Sequence, residues 1–468
     1  MSERPSGYGV GKTGTPAFAV RGIVEGFYGR PWTHAQRLDL VRFIADRGMN
    51  TFVYTPKDDP LMRRDWRAEY TGDELARLDE LVRECHRVGV DFVYCLSPGL
   101  SIRYSDPVDV AALITKLRSV TPLGVTSFGL LLDDIPATLQ YDDDLAAWPD
   151  LASAHADLTA AVRAGLPDGA RLMVCPTQYF GYGTEPYITR LGAGVDADVD
   201  LFWTGRLICS PSLDLDDALV FAESTGRPPL YWDNYPVNDV AMTHELHLGP
   251  YRGRAADLDS ASRGVIANGM EYAESSKIAF ATIADYLWSP ADYDPEASWR
   301  VALRDVVGSE HDLPAFAMFA DTVRSSCLSL DDAPELVAAL ERFALLQHLG
   351  RDREAADELG DYASRALAAA EHLLGGAVVN RALVAEAEPW IRSFRVGALA
   401  LQRIAELAAE GRLDAAASTD LVALRDQLID ARRRVFGDAL DMTLTDLVAP
   451  PVPRTTTRTV PSSKEATP

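Results

Sequence analysis

Eight short apolar runs, each leaving through polar or glycine-containing residues, constrain this chain more than any other feature. They are AVRGIVEG (19–26), NTFVYTP (50–56), VDFVYCLSP (90–98), TSFGLLLDD (126–134), ARLMVCPT (170–177), VDLFWTG (199–205), PPLYWDN (228–234) and SRGVIANG (262–269). They are rich in Val, Ile, Leu, Phe and Tyr and bounded by Gly, Pro and Asp, as strands are. Several are apolar throughout rather than alternating, which predicts strands covered on both faces of a parallel sheet. Helical patterns separate most of them: 33–48, capped by Thr33 and stopped by Gly48; 73–89, stopped by Gly89; 106–120; and 150–165. The stretches after the fifth and seventh runs show no clear helix. Alternation of this kind over about 250 residues predicts an α/β fold, a (β/α)8 TIM barrel.

The two ends of the runs differ. Each begins at a bland turn and ends in EGFYGRPW, TPKDD, SPG, DDI, PTQY, TGR, WDNYPVND or NGM. A barrel enzyme builds its site at the C-terminal ends of its strands, where eight loops converge on one mouth. The barrel is expected over 19–299, after a flexible N-terminus at 1–18. Beyond residue 300 the strand signal stops. Residues 333–349, 353–374, 380–410 and 413–446 read as Ala- and Leu-rich amphipathic helices, so 300–447 is expected to be a helical bundle, whose apolar faces offer a surface for a homodimer. The Pro-, Thr- and Ser-rich end, 448–468, reads as a disordered tail.

The formal net charge of −24 argues against nucleic acid and anionic membranes as partners. No run of about 18 apolar residues and no signal-peptide stretch occurs. The five widely spaced cysteines form neither a metal knuckle nor a disulfide framework, which predicts a reduced cytoplasmic setting.

Asp133 and Asp134 end the fourth run. Two carboxylates in a cleft push their pKa values apart, which suits one acid and one base. The plain alternative is a helix cap; position at the catalytic end of a barrel strand favours chemistry. Lys57, Asp58 and Asp59 end the second run, either as a solvated charge cluster or as partners for sugar hydroxyls. Trp232, Asp233 and Asn234, with Asp239 beyond them, have the make-up of a carbohydrate site, where apolar sugar faces stack and hydroxyls need bidentate partners. A buried Trp beside a turn-forming pair is the plain alternative. Tyr179 and Asn268 are weak candidates taken singly. A hard cation held by Asp58, Asp59, Asp133 and Asp134 is a rival reading, although no HExxH is present.

Together RGIVEGFYGRPW (21–32), YTPKDDP (54–60), SPGL (97–100), LLLDDI (130–135), CPTQY (175–179), WTG (203–205), WDNYPVND (232–239) and LGPYRGR (248–254) resemble glycoside hydrolase family 84, the bacterial β-N-acetylglucosaminidases and eukaryotic protein O-GlcNAcases. The resemblance runs from about residue 20 to about 300 in family order. It implies a (β/α)8 barrel and retaining, substrate-assisted hydrolysis of terminal β-linked N-acetylglucosamine, with no cofactor and no metal. It implies that Asp133 holds the acetamido N–H and that Asp134 protonates the leaving oxygen, with the negative Asp133 helping to raise the acid's pKa. It further implies sugar contacts from Gly26, Lys57, Tyr179, Trp232, Asp233, Asn234, Asp239 and Asn268. Position 178 is Gln where many members carry Glu, and neither a domain before the barrel nor an acetyltransferase-like segment after it is seen. A hyaluronidase-type activity and a non-catalytic glycan-binding barrel are the alternatives.

Overall fold

The structure is a computed structural model, and it describes residues 14–331, 333–413 and 419–448. The flexible stretch expected at the N-terminus falls mostly outside these residues, as does the tail expected after 448. The eight apolar runs are eight parallel strands: β1 (Val20–Glu25), β2 (Thr51–Tyr54), β3 (Asp91–Leu96), β4 (Ser127–Leu131), β5 (Arg171–Cys175), β6 (Asp200–Trp203), β7 (Leu230–Asp233) and β8 (Gly264–Asn268). They pair in chain order and close on themselves, with Val24 of β1 opposite Asn268 of β8.

The continuous apolar character of the runs has a simple cause. Val24, Val53, Val93, Leu131, Met173 and Phe202 point into the barrel, while Ile23, Phe52, Phe92, Leu130 and Leu172 point outward against the helices. Both faces of each strand are dry, so a charged residue on them needs a buried partner, as Glu25 has in Arg37. Thr33 and Gln36 form a reciprocal capping box on the helix His34–Asp46, and Gly89 ends the helix Gly72–Val88 at φ 75°.

The ring of helices is not uniform. The fifth gap holds a helix at Pro186–Gly194, but residues 234–263, between β7 and β8, contain only two short 3-10 turns, Val240–Met242 and Leu258–Ala261. The helix Pro295–Val307 crosses the boundary expected at 299/300 and packs against the last barrel helix, Ala273–Trp288. The helices Leu313–Asp321, Pro334–His348, Asp352–Leu374 and Arg381–Ala409 follow. The single helix expected over 413–446 is two, Thr419–Ala431 and Gly437–Val448. The chain turns between them, with Arg432 and Phe436 at φ 48° and 61°. Phe436 leaves the helical path to stack on Phe394, in space that Gly397 leaves open by having no side chain. No helix among the described residues is long and apolar enough to cross a membrane.

Candidate active site

All eight strands release their chains toward one mouth, and a cavity of about 410 Å3 lies there. Gly26, Lys57, Asp133, Asp134, Tyr179, Trp232, Asn234, Asp239 and Asn268 all line it. Nine of the ten residues that the resemblance assigns to the site are thus brought to one cavity.

Asp133 and Asp134 follow β4 in irregular chain, and the next helix begins only at Asp142, so the pair caps nothing. Asp134 sits at φ 52°, in the left-handed region that Asp tolerates better than most residues. Lys57 lies between the two carboxylates, 2.6 Å from Asp133 Oδ2 and 3.4 Å from Asp134 Oδ2. Burial opposes the charge on Lys57, but Asp133 and Asp134 outweigh it and hold the ammonium's pKa above its ordinary value. The other oxygen of Asp133, Oδ1, is buried and has no partner, which is costly for an acceptor unless a ligand satisfies it.

Asp134 is held differently. The Tyr28 hydroxyl donates to its Oδ2 at 2.7 Å, and Tyr179 donates to its Oδ1 at 3.3 Å. Arg63 donates to the Tyr28 oxygen at 2.9 Å. Burial pushes the Asp134 carboxyl up, but Lys57, Tyr28 and Arg63 together hold it below the usual carboxylate range. This corrects the expectation that Asp133 raises it: cations and donors win over burial and the like charge. Tyr28 and Arg63 were not singled out from the sequence. Tyr28 lay within the EGFYGRPW run, whereas nothing local marks Arg63.

The opposite wall is a relay of amides. Gly26 N–H donates to Asn268 Oδ1 at 3.2 Å, and Asn268 Nδ2 donates to Asn234 Oδ1 at 3.0 Å. That oxygen also accepts from Trp232 Nε1 at 2.9 Å, and Asn234 Nδ2 donates to the Ile208 carbonyl at 2.8 Å. A Cβ on Gly26 would lie 2.3 Å from the Trp232 ring, so only glycine lets β1 pass this wall. Asp239 accepts from the Tyr28 N–H at 2.7 Å; burial, and secondarily Asp134, raise its pKa.

Asp233 is the exception. It does not line the cavity. Its carboxylate takes a bidentate grip from Arg254, at 2.9 and 2.6 Å, and the Tyr251 hydroxyl at 2.5 Å. Alternate residues of a strand face opposite sides, so with Trp232 and Asn234 inward, Asp233 must point outward. The four-aspartate cation reading also separates: Asp59 accepts from Tyr54 and Tyr70 at 3.1 and 2.6 Å, and Asp58 lines a different cavity. Gln178 is exposed and flanks the site.

The loop that carries Tyr28 is fixed from below. Glu25 accepts from the Trp32 N–H and is paired with Arg37, while Trp32 Nε1 donates to the Met270 carbonyl.

A family model described as beta-N-acetylglucosaminidase matches residues 21–321. The protein O-GlcNAcase of Mus musculus is 33% identical over 294 residues, covering 61% of this chain and 32% of its own length, and that of Rattus norvegicus matches equally. The chain thus spans about a third of the length of the curated relatives it matches. Among solved structures, a variant of the O-GlcNAc hydrolase of Thermobaculum terrenum superposes with a TM-score of 0.85 at 30% identity, over 92% of this chain and 95% of that one. CpGH84B superposes at 0.80 and 26% identity, over 92% and 77%.

Proposed function

The chain belongs to the β-N-acetylglucosaminidase family, and from that premise we propose that it hydrolyses terminal β-linked N-acetylglucosamine with retention, using the substrate's own acetamido oxygen as nucleophile. The observation that carries the mechanism is the pairing state of Asp133: one oxygen on Lys57, the other buried and unpartnered in the cavity. An acetamido N–H satisfies that oxygen. As the acetamido oxygen attacks the anomeric carbon, positive charge grows on the nitrogen, and a fixed carboxylate favours that charge more in the transition state than in the ground state. The oxazoline so formed is opened by water.

Asp134 is the proton carrier. It delivers a proton to the leaving oxygen and later takes one from the attacking water. Its depressed pKa means that a bound sugar must raise it, by excluding water and by competing for the Lys57 and Tyr28 donors. The amide relay from Gly26 to Asn234, with Asp239, suits the sugar's hydroxyls. The relatives named for O-GlcNAc make a protein-borne O-linked residue the first substrate to try.

The test uses two N-acetylglucosaminides, one with an activated fluorogenic leaving group and one with a poor alkyl leaving group. Asp134→Asn should lose about 10²–10⁴ in kcat/KM on the poor leaving group and much less on the activated one. Asp133→Asn should lose about 10²–10³ on both. Equal losses on both substrates for both variants would overturn the assignment. Absence of turnover in the unaltered chain, with tight binding of an oxazoline mimic, would replace the enzyme with a glycan binder.

A further inference from the structure

Two of the five cysteines meet beside the cavity. Cys209 lines it, on the turn that follows β6. Cys327 lies on a separate turn beyond the helix Leu313–Asp321, closed by paired hydrogen bonds between Ser326 and Ser329. The two thiols are close enough to act on one another's ionisation. Both are only partly buried. Asn234 lies between the two segments: its backbone carbonyl accepts from the Cys327 thiol at 3.8 Å, and its side-chain amide donates to the carbonyl of Ile208, next to Cys209. Residue 327 lies beyond the span that the family model matches.

We propose that Cys209 and Cys327 are a thiol modification site, closing to a reversible disulfide on exposure to a hydroperoxide, and that this bond disables the pocket by displacing the wall around Asn234.

The chemistry divides between the two thiols. Cys209 faces the cavity, and the neighbouring Cys327 thiol holds its pKa below the ordinary value against the effect of burial. That makes it the nucleophile. Its thiolate attacks a peroxide oxygen, the O–O bond breaks, and a sulfenic acid forms with release of water or an alcohol. The Cys327 sulfur then attacks the sulfenic sulfur, the S–O bond breaks, and its proton leaves with the oxygen as a second water. The pair gives up two electrons and the hydroperoxide takes them. Cys85 and Cys95 are fully buried and Cys175, though it lines the cavity, is only 3% exposed; burial raises all three thiols, so they stay behind.

A disulfide holds its sulfurs about 2 Å apart, well inside thiol contact, and both turns must move to allow it. The Cys209 turn is internally braced, Thr204 Oγ1 donating to the Leu207 carbonyl at 2.7 Å and Leu207 N–H to Ser210 Oγ at 3.0 Å. It therefore shifts as a unit and takes the Ile208 carbonyl out of line with the Asn234 amide that donates to it.

The loss of turnover rests on the glycosidase reading above; the cross-link does not. The full chain is treated with stoichiometric hydrogen peroxide, quenched, and split into a non-reducing tryptic map and an assay on the fluorogenic N-acetylglucosaminide. The map should join the peptides 207–252 and 325–342 with a loss of two hydrogens. Turnover should fall at least fivefold in kcat/KM and return with dithiothreitol. Cys327→Ser keeps a donor for the Asn234 carbonyl; in it, and in Cys209→Ser, the joined peptide should be absent and the dithiothreitol-reversible loss should vanish. Oxidation of either cysteine to other products without the joined peptide overturns the site, and a joined peptide with unchanged kcat/KM overturns its effect. If the reduced chain turns nothing over, the proposed activity fails, and the peptide map with binding of an oxazoline mimic still decides the thiol site.

Discussion

Asp134 occupies a backbone region that few non-glycine residues adopt, and it does so where Tyr28, Lys57 and Arg63 converge. A group whose pKa is held low must find its proton elsewhere before it can act as an acid. The activity of the free site therefore falls as pH rises through a depressed value, and removing a donor raises that value. Tyr28→Phe should accordingly move the basic limb of the kcat/KM profile to higher pH. In the unaltered chain the kcat profile, which reports the complex, should keep its basic limb above that of kcat/KM, because bound sugar has raised the acid. Coincident limbs would mean that substrate does not reset Asp134. Lys57, Asp133 and Asp134 were legible in the sequence because each ends a strand. Tyr28 and Arg63 were not, because their role depends on contacts 106 and 71 residues away that no local pattern encodes. Asp233 misled for the opposite reason: it sits between two true wall residues, and only the strand's alternation turns it outward.

At the scale of elements, that outward turn has an energetic consequence. The Asp233 carboxylate and the Arg254 guanidinium are 3% and 1% exposed, so removing one partner leaves a buried charge alone. Arg254→Met should cost about 3–5 kcal/mol in urea denaturation, and adding Asp233→Leu should recover part of it. A loss confined to KM with stability unchanged would return Asp233 to the sugar. All eight strands were readable because a strand dry on both faces must be largely apolar. The connection between β7 and β8 was not, since a long irregular segment held by side-chain bonds has no period to find. The break at 432–436 was hidden similarly: its cause is a pocket for Phe436 on a helix that precedes it by about forty residues.

At the scale of the molecule, the helical region does more than follow the barrel. Glu386 accepts from the N–H groups of Glu274 and Ser275, at 3.1 and 2.8 Å, where the last barrel helix starts. Trp390 Nε1 donates to the His244 carbonyl at 2.9 Å, and the Arg434 N–H donates to the same carbonyl at 2.8 Å. His244 belongs to the segment between β7 and β8 that carries Asp239. Trp390→Phe removes one of these bonds, worth about 0.5–1.5 kcal/mol, and should raise KM by about two- to tenfold with little change in kcat. An unchanged KM would show that Arg434 alone suffices.

That shared anchor ties the cavity to the helices by linkage. Whatever free energy the helices contribute to holding the Asp239 segment in its binding form, a ligand that selects this form must return to the helices in equal measure. Occupancy of a pocket built wholly from the barrel should thus slow hydrogen exchange in the helix Arg381–Ala409, which touches no sugar at all.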